Sequence, residues 1–222
     1  MDRIRRALVA LVCALALAVP LAAAAPATPF AARGMADEVG RFAALVISTD
    51  DHDGRPFAIV DKKHARIHVF DAAGRWRGTS PVLLGQTPGD GSAPDVGDNT
   101  QHGFVPVAER TTPAGRFLAE PGRNLTGEHV VWVDYDAAFA IHRLRSGRSH
   151  AIRVARLASR SPDGRRLSLG CIVVPVKFYL GVVATLLGQG PSVVYVLPED
   201  GNPAHLLAGG AAESNTASAD GG

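Results

Sequence analysis

Residues 168–187 read SLGCIVVPVKFYLGVVATLL, and the change of pattern inside this stretch decides the fold. Val176, Tyr179, Leu180, Val183, Leu186 and Leu187 recur at i, i+3, i+4 and i+7, the spacing of an amphipathic helix. Pro175 suits its first turn, and Gly188 and Gly190 end it. Outward from this helix the signals are those of strands. Val193 to Leu197 reads as a last strand. Upstream, Phe57 to Val60 and Ile67 to Phe70 flank polar residues 61–66 as a hairpin, with a turn at residues 71–74 and a strand over Ser80 to Leu84. Val130 to Val133, Phe139 to Leu144 and Ala151 to Leu157 read as further strands, and the Gly-, Pro- and Asp-rich residues 85–103 as a long surface loop. The expected fold is mainly β, with one clear helix directly behind Cys171.

The N-terminus has the three parts of a secretory signal peptide. Arg3, Arg5 and Arg6 precede an apolar run from Ala7 to Ala22, which ends in small residues through Ala25. The run is shorter than the roughly 20 residues a membrane span needs, so no membrane span is expected to remain after cleavage. The expected organisation is a signal at 1–25, a linker and N-terminal segment at 26–54, one domain at 55–200 and a disordered tail at 201–222. The chain holds 23 Lys+Arg and 21 Asp+Glu. Cleavage would remove Arg3, Arg5, Arg6 and Asp2, leaving the two signs equal and no overall pull on nucleic acid. Cleavage would also remove Cys13, one of two cysteines, and leave Cys171 alone in an oxidising compartment. Such a thiol is a buried inert group, an intermolecular link or a nucleophile.

Its place at a helix start would matter to that choice. Helix N-termini carry free N–H groups and partial positive charge, which favour the thiolate. The backbone N–H groups of Leu169, Gly170 and Cys171 are candidate donors to an oxyanion. Gly170 permits a tight turn beside the thiol. His52, His64, His68, His102, His129 and His205 show no metal-ligand spacing, so no metal is expected.

Ser168-Leu169-Gly170-Cys171-Ile172 resembles the S-x-G-C-hydrophobic signature of L,D-transpeptidases. Ala140-Ile141-His142 resembles the strand carrying that family's catalytic histidine, and residues 112–117, TPAGRF, its T-P-x-G-x-F segment. The resemblance spans roughly residues 55–200. It implies a β-sandwich or barrel catalytic domain, acting on peptidoglycan stem peptides in the periplasm or cell wall without metal or organic cofactor. The thiolate attacks the carbonyl between a third-position diamino acid and a terminal D-alanine. An amine of a second stem, an envelope-protein lysine, or water then resolves the acyl-enzyme. On this reading Cys171 is the nucleophile, His142 the base and later the acid, and Ser168 braces the turn or bonds near the histidine.

The sequence departs from the family pattern in three places. Leu169 stands where many members have a second histidine, and Val173 where they usually have Arg or Asn. His142 and Cys171 are separated further than is common, which leaves His150 as an alternative base. The intervening segment holds eight arginines against Asp163 alone. Arg143, Arg160 and Arg166 are the expected carboxylate binders there, since guanidinium groups pair bidentately with carboxylates. A hydrolase or carboxypeptidase of the same fold, and a catalytically silent envelope-binding domain, are the alternatives to transfer.

Overall fold

A computed structural model describes residues 37–208, and the signal at 1–25 and the tail from 209 onward lie outside the described residues. The fold is mainly β. Strand β1 (Phe57–Asp61) lies between β2 (Arg66–Phe70), its antiparallel hairpin partner, and β10 (Ser192–Val196), which runs parallel to it. From β2 the sheet continues to β3 (Trp76–Pro81). From β10 it continues through β5 (Gly115–Arg123), β6 (His129–Asp134) and β7 (Phe139–Arg143) to β9 (Ile172–Val174). These are eight strands in the order β3-β2-β1-β10-β5-β6-β7-β9. A separate parallel pair joins β4 (Leu84–Gly85) to β8 (Arg166–Ser168).

The two sheet edges nearly meet. Past β3 the chain reaches Leu83, whose N–H donates to the Val173 carbonyl at 2.8 Å and whose carbonyl accepts from Val173 N–H at 2.9 Å. Val173 belongs to β9, the opposite edge, so this bridge curls the sheet into a nearly closed, barrel-like form.

Period-two alternation sorts side chains between the two faces. Ala58, Val60, Val131, Ile141, Ile172, Val194 and Val196 turn inward, around Tyr179, Val183 and Leu187 of the C-terminal helix. That helix runs as α4 (Val176–Phe178), a π-helical stretch over Tyr179–Val183 and α5 (Ala184–Leu186). Phe57, Ile59, Val193 and Tyr195 turn outward and are covered by α1 (Asp37–Ser48). Val39, Phe42, Ala43 and Val46 of α1 recur at helical spacing and form its buried stripe.

Three expectations are corrected. The helix does not follow Cys171 directly: β9 intervenes, and Pro175 has extended backbone (φ −56°, ψ 144°) before the helix begins at Val176. Residues 151–157 are not a strand but belong to α3 (His150–Leu157). The loop at 85–103 contains a short helix, α2 (Val96–Gln101). The N-terminal segment at 26–54 contains α1, which belongs to the packed body. At the other end, residues 203–206 form a 3-10 turn, and Leu207 joins the cluster under α1. Among the described residues no helix is long and apolar enough to cross a membrane.

Candidate active site

The register of the β7–β9 edge assembles the site. Ile141 pairs with Ile172 and His142 with Val173, in parallel. Ile141 and Ile172 point into the inner core. Alternation therefore sends Ala140, His142, Cys171 and Val173 to the outer face. All four line one cavity of about 660 Å³. Cys171 and His142 are thus diagonal neighbours on one face of adjacent strands, brought together from 29 positions apart by strand pairing.

The turn before β9 is held by side chains. Ser168 Oγ donates to the Cys171 carbonyl (2.6 Å) and accepts from Gly170 N–H (3.1 Å). Thr112 Oγ1 donates to the Gly170 carbonyl (2.7 Å) and accepts from Gly85 N–H (2.8 Å). Gly170 has φ +137°, and a Cβ there would lie 3.0 Å from the Thr111 carbonyl oxygen. Only glycine adopts this backbone freely and fits the space. Thr112 is held in turn by Lys62, a fully buried ammonium. It donates to the carbonyls of Thr112 (3.0 Å) and Gly89 (2.6 Å) and pairs with Asp90 Oδ1 (2.5 Å).

His142 Nδ1 lies 2.9 Å from the Arg143 carbonyl. A carbonyl only accepts, so Nδ1 carries the proton and Nε2 keeps its lone pair. Burial pushes the imidazole down to about 4; Arg145 and Arg153 add to this, while the Arg143 carbonyl and Glu128 oppose it. Burial pushes the Cys171 thiol up, against the Ala140 N–H, the Arg145 charge and the cysteine's own N–H. The sulfur lies 3.5 Å from the Ala138 carbonyl, which suits S–H rather than S⁻. The expected helix-start thiolate is therefore corrected. Cys171 sits just before β9, five residues ahead of the helix that starts at Val176, and the resting pair is neutral thiol beside neutral imidazole.

The other candidates divide by position. Ser168, Leu169 and Gly170 line the cavity. The Gly170 N–H is taken by Ser168, which leaves the N–H groups of Leu169 and Cys171 from the expected oxyanion donors. His150 is exposed at the start of α3 and bonds the Arg145 carbonyl at 3.0 Å. It does not line the cavity. Nor do Arg143, Arg160 and Arg166. Arg143 pairs with Glu128 (2.5 Å), Arg166 pairs with Glu199 (2.7 Å), and Arg160 is exposed to solvent. The guanidinium groups at the cavity belong instead to Arg123, Arg145 and Arg153. Reading 151–157 as a strand hid Arg153, and Thr112 lay inside the TPAGRF segment without an assigned role. Among the described residues no group of three or more His, Cys, Asp or Glu is placed to hold a metal.

No protein-family model matches the chain, and no curated protein does. Among solved structures it is similar to the helical cell shape determining protein Pgp2 from Campylobacter jejuni, at 16% identity and TM-score 0.41, covering 67% of this chain and 49% of that one. A mutant of the same protein gives 17% identity and TM-score 0.40, over 67% and 48%. The chain spans about half the length of the solved chains it matches.

Proposed function

We propose that the protein is a cysteine acyltransferase of the cell envelope that acts on peptidoglycan stem peptides, as the resemblance to L,D-transpeptidases implies. The observation that carries this reading is one cavity lined by both Cys171 and an imidazole whose Nδ1 is fixed on a carbonyl and whose Nε2 is free to take a proton. The neutral resting pair defines the order of events. As Sγ bonds to the scissile carbonyl carbon, the thiol proton passes to His142 Nε2. The oxyanion is met by the N–H groups of Leu169 and Cys171. His142 then returns the proton to the D-alanine nitrogen as the C–N bond breaks, and a thioester remains. An incoming amine gives its proton to Nε2 while bonding the carbonyl carbon, and the same proton restores the thiol as the C–S bond breaks.

Purified protein incubated with a stem tetrapeptide is expected to gain the mass of the acyl group at Cys171 and release D-alanine. A cross-linked dimer shows transfer, and a trimmed monomer shows hydrolysis. Release of D-alanine by the Cys171→Ala variant at the unmutated rate would overturn the assignment. The raised thiol and lowered imidazole also favour a second reading, a catalytically silent domain that binds peptidoglycan. Absence of any adduct, with binding to sacculi retained, would select it.

A further inference from the structure

The cavity that holds Cys171 and His142 is lined by three guanidinium groups, Arg123, Arg145 and Arg153, and by no Asp or Glu. Two of the three are already engaged. Arg145 Nε donates to Glu128 Oε2 at 2.7 Å, and Arg123 Nη1 donates to the Gly127 carbonyl at 2.6 Å. Arg153 has no hydrogen-bond or ion-pair partner for its side chain among the described residues, and it is half-buried. Its charge is close enough to depress His142.

The fold explains how Arg153 arrives there. Leu157 of α3 packs with Val173, Leu83 and Leu144. Arg153 lies four residues earlier, on the same face of that helix. The contact that seats α3 on the apolar Val173 therefore aims Arg153 at the cavity. Val173 itself brings no charge to the outer face of β9, and α3 supplies the charge from outside the sheet.

We propose that Arg153 is the specificity-determining residue that receives the free C-terminal carboxylate of the acyl donor. This deepens the proposed function and rests on it for the identity of the donor. A C-terminal carboxylate lies one residue beyond the scissile carbonyl, a span of at most about 3.5 Å of extended chain. A guanidinium close to the Cys171–His142 pair can meet it there in bidentate fashion. Carboxylate binding would also compensate the cavity's excess positive charge.

The test separates binding from chemistry. In the Cys171→Ala background, calorimetry compares a stem tetrapeptide ending in D-alanine with its C-terminal amide. The carboxylate form is expected to bind at least tenfold more tightly, Arg153→Gln to erase that preference, and Arg156→Gln on the exposed side of α3 to keep it. Equal affinities for acid and amide, or a preference that survives Arg153→Gln, overturns the inference. With Cys171 restored, an acyl-enzyme without carboxylate preference would sink this inference and spare the proposed function. Carboxylate-dependent binding at Arg153 without an acyl-enzyme would do the reverse.

Discussion

Thr112→Val isolates the polar tie that holds the turn before β9. The substitution keeps the side chain's shape and removes its hydroxyl, which accepts from Gly85 N–H and donates to the Gly170 carbonyl. Thr112 is 1% exposed, so water cannot replace the lost partner without a rearrangement. Left unpaired, the buried Gly85 N–H costs about 1–3 kcal/mol and the part-buried Gly170 carbonyl about 1 kcal/mol, so the pair should cost roughly 2–4 kcal/mol. For a domain of this size that corresponds to a fall in Tm of roughly 5–12 °C. Thr112→Ser is the matched control. It keeps the hydroxyl and loses one methyl, at about 1 kcal/mol. Activity should separate the two further. The Gly170 carbonyl is one bond network away from the sulfur, and a displacement of about 1 Å at a reacting atom costs on the order of 100-fold. Thermal melts together with the rate of acyl-enzyme formation measure both effects. Equal Tm and equal acylation rates for the Val and Ser variants would refute the role given to the hydroxyl.

Three further predictions follow from other parts of the molecule. On the proposed mechanism acylation requires an unprotonated His142, so its rate should hold as pH falls through 6.5 and drop only near about 4; a limb at 6.5 to 7 in the pH profile would contradict the desolvated imidazole. His68 is buried with neither ring nitrogen bonded, and burial pushes it down to about 4. Its folded value lies below the unfolded one near 6.5, so the unfolded chain binds the extra proton. Stability is complete above 6.5 and declines as pH falls toward 4, by roughly 3 kcal/mol in all; urea titrations of His68→Leu across that window should show this loss removed. Asp51 is 4% exposed at its side chain and holds Arg116 Nε, the Tyr195 hydroxyl and the Ala208 N–H. Asp51→Ala takes the carboxylate from the Tyr195 hydroxyl and from Arg116, whose part-exposed guanidinium keeps the Asp51 carbonyl, and should cost about 1–3 kcal/mol in a denaturant melt, whereas a loss below 1 kcal/mol would mean that these partners find water.

The parts of the fold that were legible are those in which one local pattern dominates. The β1–β2 hairpin, β6, β7 and β10 are runs of β-branched or alternating residues bounded by turn residues. The misreadings have specific physical causes. In α3, Ile152, Val154 and Ala155 interleave with Arg153 and Arg156 and imitate a strand's alternation. Ile152 and Val154 are in fact exposed, and only Leu157 of this helix is buried. The helical stripe of α1 sits at the end of a segment rich in Ala and Pro, where composition points to a linker. The 3-residue β9 is the most consequential case. Ile172-Val173-Val174 is too short to separate by periodicity from the apolar helix that follows, and Pro175 is compatible with both a helix start and an extended residue.

That single displacement changes the chemistry, because a thiol at a helix start and a thiol at a strand start are activated differently. At a helix start the macrodipole would hold a thiolate at rest, ready to attack but also ready to be oxidised. At the start of β9, the sulfur meets the Ala138 carbonyl and a desolvating wall, and the favoured resting form is S–H. On the proposed mechanism, activation then comes from His142 at the moment of attack, and the tautomer fixed on the Arg143 carbonyl is what leaves Nε2 able to accept the proton. The local charge also takes on a second role. Arg145 stabilises anionic sulfur, while Arg145 and Arg153 together oppose a charged imidazole. A carboxylate bound at Arg153 would offset that opposition and make the imidazole a stronger base. Substrate binding would therefore raise the basicity of His142 and favour proton transfer from Cys171. The pH profile of acylation by a C-terminally amidated peptide tests this link. Compared with the free acid, its acid limb should lie lower and its limiting rate should be slower. Coincident limbs would show that the bound carboxylate does not reach His142.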